Sequence, residues 1–112
     1  MKRYEVENYK TERGDVPFQN WIQDLADAKA QTALIARIVR ASYGNFGDWK
    51  ALTEAKGLYE MRIHLGQGYR IYYAIIEQKI ILLLAGSTRR SQDKMIAKAT
   101  EYLADFNRRT KP

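Results

Sequence analysis

The chain has 112 residues, no cysteine and one histidine, and nineteen Lys and Arg outnumber thirteen Asp and Glu to give a formal charge of +6. That length predicts a single domain over 1–112 with a modest core. The missing thiols exclude disulfides, thiolate nucleophiles and cysteine zinc sites. The basic excess points to a polyanion, nucleic acid being the commonest in a cell, with an inert basic surface as the alternative. No Asp/Glu cluster has metal-ligand spacing, so neither metal nor cofactor is expected. There is no signal-peptide core and no apolar run of roughly 18 residues, so a cytoplasmic protein without a membrane partner is expected.

In chain order, Tyr4, Val6 and Asn8 alternate with charged residues, the period of a half-buried first strand. Arg13-Gly14-Asp15 interrupts it. Asp15 ahead of Pro17 is a helix-start signal, and Phe18, Trp21, Ile22 and Leu25 follow at helical spacing, which predicts a short helix over 16–26. A second helix starts near Ala28, with Leu34, Ile35, Ile38 and Val39 as its buried stripe, Arg37 and Arg40 turned elsewhere, and Gly44 and Gly47 past its end. With almost nothing between them, the two read as an antiparallel helical hairpin.

The period then changes to two. Tyr59, Met61, Ile63 and Leu65 alternate with Glu60, Arg62 and His64, a strand with one apolar and one ionisable face. Gly66-Gln67-Gly68 is a turn, 69–76 the next strand, Glu77-Gln78 a second turn, and 79–85 an apolar strand covered on both faces. After Ser87-Thr88-Arg89-Arg90-Ser91-Gln92 comes a last helix with the stripe Ile96, Ala99, Leu103 and Phe106, and with Arg108, Arg109 and Lys111 as a solvated end suited to the helix dipole. The order β-α-α-β-β-β-α predicts an α+β domain. Its antiparallel three-stranded meander takes the first strand at its edge or middle, and its helices pack mainly on one face.

A 66–68 turn symmetric about Gln67 sets His64 opposite Arg70 and Arg62 opposite Tyr72. Glu60, Arg62, His64, Arg70 and Tyr72 then share one sheet face, expected as an open platform, while the helices cover the other. Two guanidiniums, an imidazole, a carboxylate and a phenol suit metal-free cleavage of RNA. The 2′-OH attacks, arginines bind the charged phosphorane, other groups move protons, and a phenol stacks a base. The alternative is a solvated face of ion pairs. Tyr59, Tyr69, Tyr73 and Trp21 are read as core, and Trp49 as packing, or as a stacking surface for RNA if exposed.

The segment Gly57-Leu58-Tyr59-Glu60-Met61-Arg62-Ile63-His64, with Gly66-Gln67-Gly68-Tyr69-Arg70-Ile71-Tyr72-Tyr73, resembles the central block of the RelE/ParE toxin superfamily. Its Glu-x-Arg-Ile and Gly-x-Gly-Tyr-Arg-x-Tyr patterns resemble the HigB-like branch, as do Gly86, Arg89, Ser91 and Gln92 after the apolar strand. The resemblance covers essentially the whole chain. It implies a RelE-like fold and a ribosome-dependent messenger RNA endonuclease, held in check by a cognate antitoxin, a small helix-turn-helix protein encoded next to it. It places the transition-state arginine on Arg70, a basic strand residue on Arg62, a phosphate ligand on Arg89 and a base on Glu54. Arg90, Tyr72 and Lys94 complete the candidate RNA contacts. Glu54, Glu60 and His64 stay open as acid and base. This chain departs from relatives at Lys94-Met95, where several have a tyrosine, at Glu60, where some have lysine, and at Gln67, where proline is usual. The rival readings are a ParE-like gyrase inhibitor, which needs no catalytic set, and an inactive RNA- or antitoxin-binding module.

Overall fold

The computed structural model describes residues 1–111. Its elements are β1 (Glu5–Asn8), α1 (Pro17–Gln23), α2 (Ala28–Ser42), β2 (Trp49–Ala51), β3 (Tyr59–Ile63), β4 (Tyr69–Ile76), β5 (Ile80–Thr88) and α3 (Gln92–Thr110). The expected order is present with one addition, β2, whose three residues are too few to show a period. The five strands run β1-β5-β4-β3-β2. The first strand is at the edge, parallel to β5, and the rest of the sheet is antiparallel.

Local chemistry explains the element ends. Pro17 sits in the first turn of α1, where its missing N–H costs nothing. The Asp27 carboxylate caps α2 by accepting from the N–H groups of Lys29 at 2.9 Å and Ala30 at 3.3 Å. Glu77 and Gln78 both take left-handed φ, 53° and 60°, and Lys79 N–H donates to the Ile76 carbonyl at 2.9 Å. This is the tight turn whose twist suits the β4–β5 hairpin.

The sheet is packed on both faces. On one, Phe18 of α1 and Ala30, Leu34 and Ala41 of α2 cover Met61, Ile63, Ile71, Tyr73, Ile81 and Leu83. On the other, Ile96, Ala99 and Leu103 of α3 cover Tyr72, Ala74, Leu82, Leu84 and Ala85. Burial of each such Leu, Ile or Phe contributes about 1.5–3 kcal/mol. Two helices thus share a face, while α3 takes the face expected to be open. A bulge at Tyr72/Tyr73 pairs these residues with Ala85 and Leu83 and leaves Leu84 over, which turns both Leu84 and Ala85 toward α3.

The stripe of α2 differs from the expected one. Ala30, Leu34 and Ala41 are buried, whereas Ile35 and Val39 are 53% and 51% exposed. Small alanines bring the helix close to the sheet, and the larger Ile35 and Val39 fall on its flank. Arg37 turns inward instead. Its Nη1 donates to the Arg62 carbonyl at 2.7 Å and its Nη2 to the Phe46 carbonyl at 2.9 Å, tying α2 to β3 and to the loop before β2. Arg109 is likewise engaged, donating to Asp105 and to the Lys10 carbonyl and lying over the Tyr9 ring.

Candidate functional site

The β3–β4 ladder sets Arg62 opposite Arg70 and Glu60 opposite Tyr72. The expected register was off by two residues, because the turn is centred one residue earlier than Gln67. A shift of two preserves the alternation, so Glu60, Arg62, Arg70 and Tyr72 do share a face. Two guanidiniums directly opposite repel each other. Glu60 resolves this from the same face. Its Oε2 accepts from Arg62 Nε at 2.9 Å, and its Oε1 lies 4.0 Å from Arg70 Nε.

The face is a basin rather than an open platform, because the first turn of α3 closes over it. Gln92 Oε1 accepts from Arg70 Nε at 2.8 Å. Glu60 is fully buried, and its Oε1 has no hydrogen-bond partner among the described residues. Tyr72 is fully buried too. Its hydroxyl pairs with Ser87 Oγ at 2.8 Å, and burial pushes its phenol up to about 12. Tyr72 therefore offers no ring to a base, and Glu60 has no surface on which to meet substrate. Arg70 is 8% exposed and the Arg62 side chain 30%. The Arg70 Nη atoms make no hydrogen bond to the described residues and are not sealed from solvent, so its fork opens at the mouth of the basin.

The turn from β5 into α3 sorts its residues to two sides. Thr88 N–H donates to Ser91 Oγ at 3.2 Å, and the Arg89 N–H to the Gly68 carbonyl at 3.2 Å. Gln92 is thereby directed inward, while Arg89 and Arg90 are exposed and line, with Gln67, a surface cavity of about 510 Å³. Lys94 is exposed in the first turn of α3. Glu54 is exposed in the loop between β2 and β3, where it lines a different cavity with Asp93 and Glu101; no hydrogen bond joins it to the arginines among the described residues.

His64 follows β3 directly and is exposed. Its Nε2 lies 2.6 Å from Asp48 Oδ2. The hydrogen bond from His64 is the largest cause holding the Asp48 carboxyl below its ordinary value, assisted by the charges of Arg62, His64 and Arg37. Asp48 was not among the sequence candidates. It stands in a loop sixteen residues before His64, and only β2, pairing with β3, brings the two together. No group of three or more His, Cys, Asp or Glu side chains among the described residues is placed to hold a metal ion. No described helix is long and apolar enough to cross a membrane.

No protein-family model matches the sequence. An uncharacterized protein of Haemophilus influenzae is 39% identical over 82 residues, spanning 73% of this chain and 81% of that protein. Among solved structures, a mutant form of the Escherichia coli toxin RelE in the free state superposes with a TM-score of 0.63. It covers 90% of this chain and 97% of the toxin at 15% identity, which shows a common RelE-like α+β fold.

Proposed function

We propose that this chain, which belongs to one family with the Haemophilus influenzae protein and has the RelE-like fold, is a toxin of the HigB-like kind that cleaves messenger RNA on the ribosome. The observation that carries the reading is the pair Arg62 and Arg70, held on a buried carboxylate with the Arg70 Nη atoms free of hydrogen bonds to the described residues. Fixed guanidiniums aimed at one point stabilise a dianionic phosphorane without reorganising during reaction. A solvated face of ion pairs has no reason to bury its carboxylate completely.

In the proposed reaction the RNA 2′-oxygen attacks phosphorus and the bond to the 5′-oxygen breaks, leaving a 2′,3′-cyclic phosphate and a 5′-hydroxyl end. Arg70 and Arg62 hold the non-bridging oxygens, while Arg89, Arg90 and Lys94 take flanking phosphates. Glu60 orients the two arginines and stays out of proton transfer. His64 is the better base. With Nε2–H donated to Asp48, the lone pair of Nδ1 is left to take the 2′-OH proton. The leaving 5′-oxygen takes its proton from solvent, since Glu54 lines a different cavity from the arginines. The partner is an antitoxin of helix-turn-helix type, whose acidic groups would compete with phosphate at the basin.

The test is incubation of the pure protein with ribosomes translating a defined message, with mapping of new 5′ ends, beside a gyrase supercoiling assay. Discrete cuts in the translated message, with supercoiling untouched, are expected. An uncut message refutes the nuclease, and blocked supercoiling would establish the gyrase inhibitor instead.

A further inference from the structure

On the opposite face of the sheet from the arginine basin, five aromatic rings adjoin in sequence. Tyr4 meets Phe46 edge-on at 5.5 Å, Phe46 stacks on Tyr73 at 5.5 Å, Tyr73 stacks on Tyr59 at 5.7 Å, and Trp49 meets Tyr59 edge-on at 6.0 Å. With Ile75 they line a pocket of about 220 Å³. This is below the roughly 300–1,000 Å³ of sites for drug-sized ligands, and it suits one flat ring system.

Three features identify the ring. The Tyr73 ring is buried, and its hydroxyl, which has no hydrogen-bond partner among the described residues and is not sealed from solvent, borders the pocket. An aliphatic occupant would leave that hydroxyl unsatisfied, whereas the edge of a base offers it an acceptor. No acidic residue lines the pocket, and two arginines lie near it: Arg37 donates to the Phe46 carbonyl, and Arg3 lies against Gly44. Trp49, half exposed, directly follows Asp48, the residue that holds His64. Only the edge strand β2, itself exposed, separates the two faces there, and one strand is roughly 5 Å across.

We infer that this pocket binds a nucleobase of single-stranded RNA, one that flanks the cleaved phosphate after the strand crosses β2 past His64. The inference rests on the ribonuclease reading for the path of the strand. Stacking on aromatic faces supplies the affinity with little sequence preference, and the Tyr73 hydroxyl supplies what preference there is.

The experiment measures fluorescence anisotropy of a labelled ten-nucleotide oligoadenylate and of an abasic strand with the same phosphates. The wild type is compared with Trp49→Ala and Tyr73→Phe. Tyr73→Phe keeps the ring in its packing, so it remains folded even if the other variant does not. Trp49→Ala is expected to weaken oligoadenylate binding by about 5- to 150-fold, the loss of one stacked base. Tyr73→Phe should weaken it by about 2- to 10-fold. Neither should alter abasic binding or the salt dependence. Unchanged oligoadenylate affinity in both variants overturns the inference, as does an equal loss on the two strands. So does a defect confined to binding a co-produced protein, which would make the pocket a protein contact. If wild-type binding does not respond to salt, the phosphate basin fails while the base pocket stands.

Discussion

Among the described residues, Glu60 is the carboxylate within 4.0 Å of both Arg62 and Arg70, the facing ladder pair, and it lies wholly out of water. Neutralising it without changing its size should cost stability twice, by releasing two facing guanidiniums and by losing a charge-assisted bond. Removing one partner of a buried pair costs about 3–5 kcal/mol. Arg62 is partly solvated, so Glu60→Gln is expected at the lower end, about 3 kcal/mol. Urea unfolding measures it, and a midpoint equal to wild type would show that Glu60 does not hold the arginines. At the edge of the same face, Asp48 has its carboxyl lowered mainly by the His64 hydrogen bond. A folded value below the unfolded one adds stability that is present above about pH 4 and is lost as pH falls through the depressed value. His64→Gln should return the Asp48 titration, followed by carboxyl carbon NMR, toward the ordinary value. If that titration stays where it is, His64 is not its cause. The sequence alone placed Glu60, Arg62 and Arg70 on one face, because strand alternation survives an even shift of register. It misread Glu60 and Tyr72 as exposed, because no pattern within β3 and β4 tells which face α3 covers. It missed Asp48, whose place depends on a three-residue strand.

Elements are joined here by a few tight contacts that fix where the site residues point. Gly86 on β5 is one. A Cβ there would lie within 2.5 Å of three atoms of the Trp21 ring of α1, so the glycine permits close approach of helix to sheet. Gly86→Ala is expected to destabilise by about 1–3 kcal/mol through overpacking, with partial rescue when Trp21 is shortened to Leu. Thermal melting of the single and double variants reads both. A single variant that melts with wild type, or a double variant no better than the sum of its parts, contradicts that packing. The helix period of α2 was plain in the sequence, but its buried arc was not. Ala30, Leu34 and Ala41 lie on one side and Ile35 and Val39 on the flank, so ranking by side-chain size chose the wrong edge of the stripe. The apolar run of β5 was informative for a physical reason: α1 and α2 cover one face and α3 the other, so neither parity can be polar.

At the scale of the whole molecule, part of the positive charge behind the net +6 is already engaged within the fold. Arg108 and Arg109 are paired with Asp105, and Arg37 is engaged by backbone carbonyls. Arg62 and Arg70 are left in the basin, and Arg89 and Arg90 are exposed on the turn that leads into α3. Removing one cation that binds a phosphate of a single strand should reduce the salt slope of RNA binding by about 0.7. Arg89→Ala and Arg62→Ala should each show that reduction together with weaker binding. An Arg89→Ala variant with wild-type affinity and slope would show that Arg89 does not touch the strand. Net charge suggested the partner class, and only the fold shows which cations are free to meet it. The most direct measurement of the central claim is single-turnover cleavage of a ribosome-bound message by wild type and Arg70→Ala, with folding of both confirmed by melting. A loss of about 10²–10³ in rate with the fold retained is expected, the cost of one transition-state donor. A folded Arg70→Ala protein that cuts at the wild-type rate would contradict it.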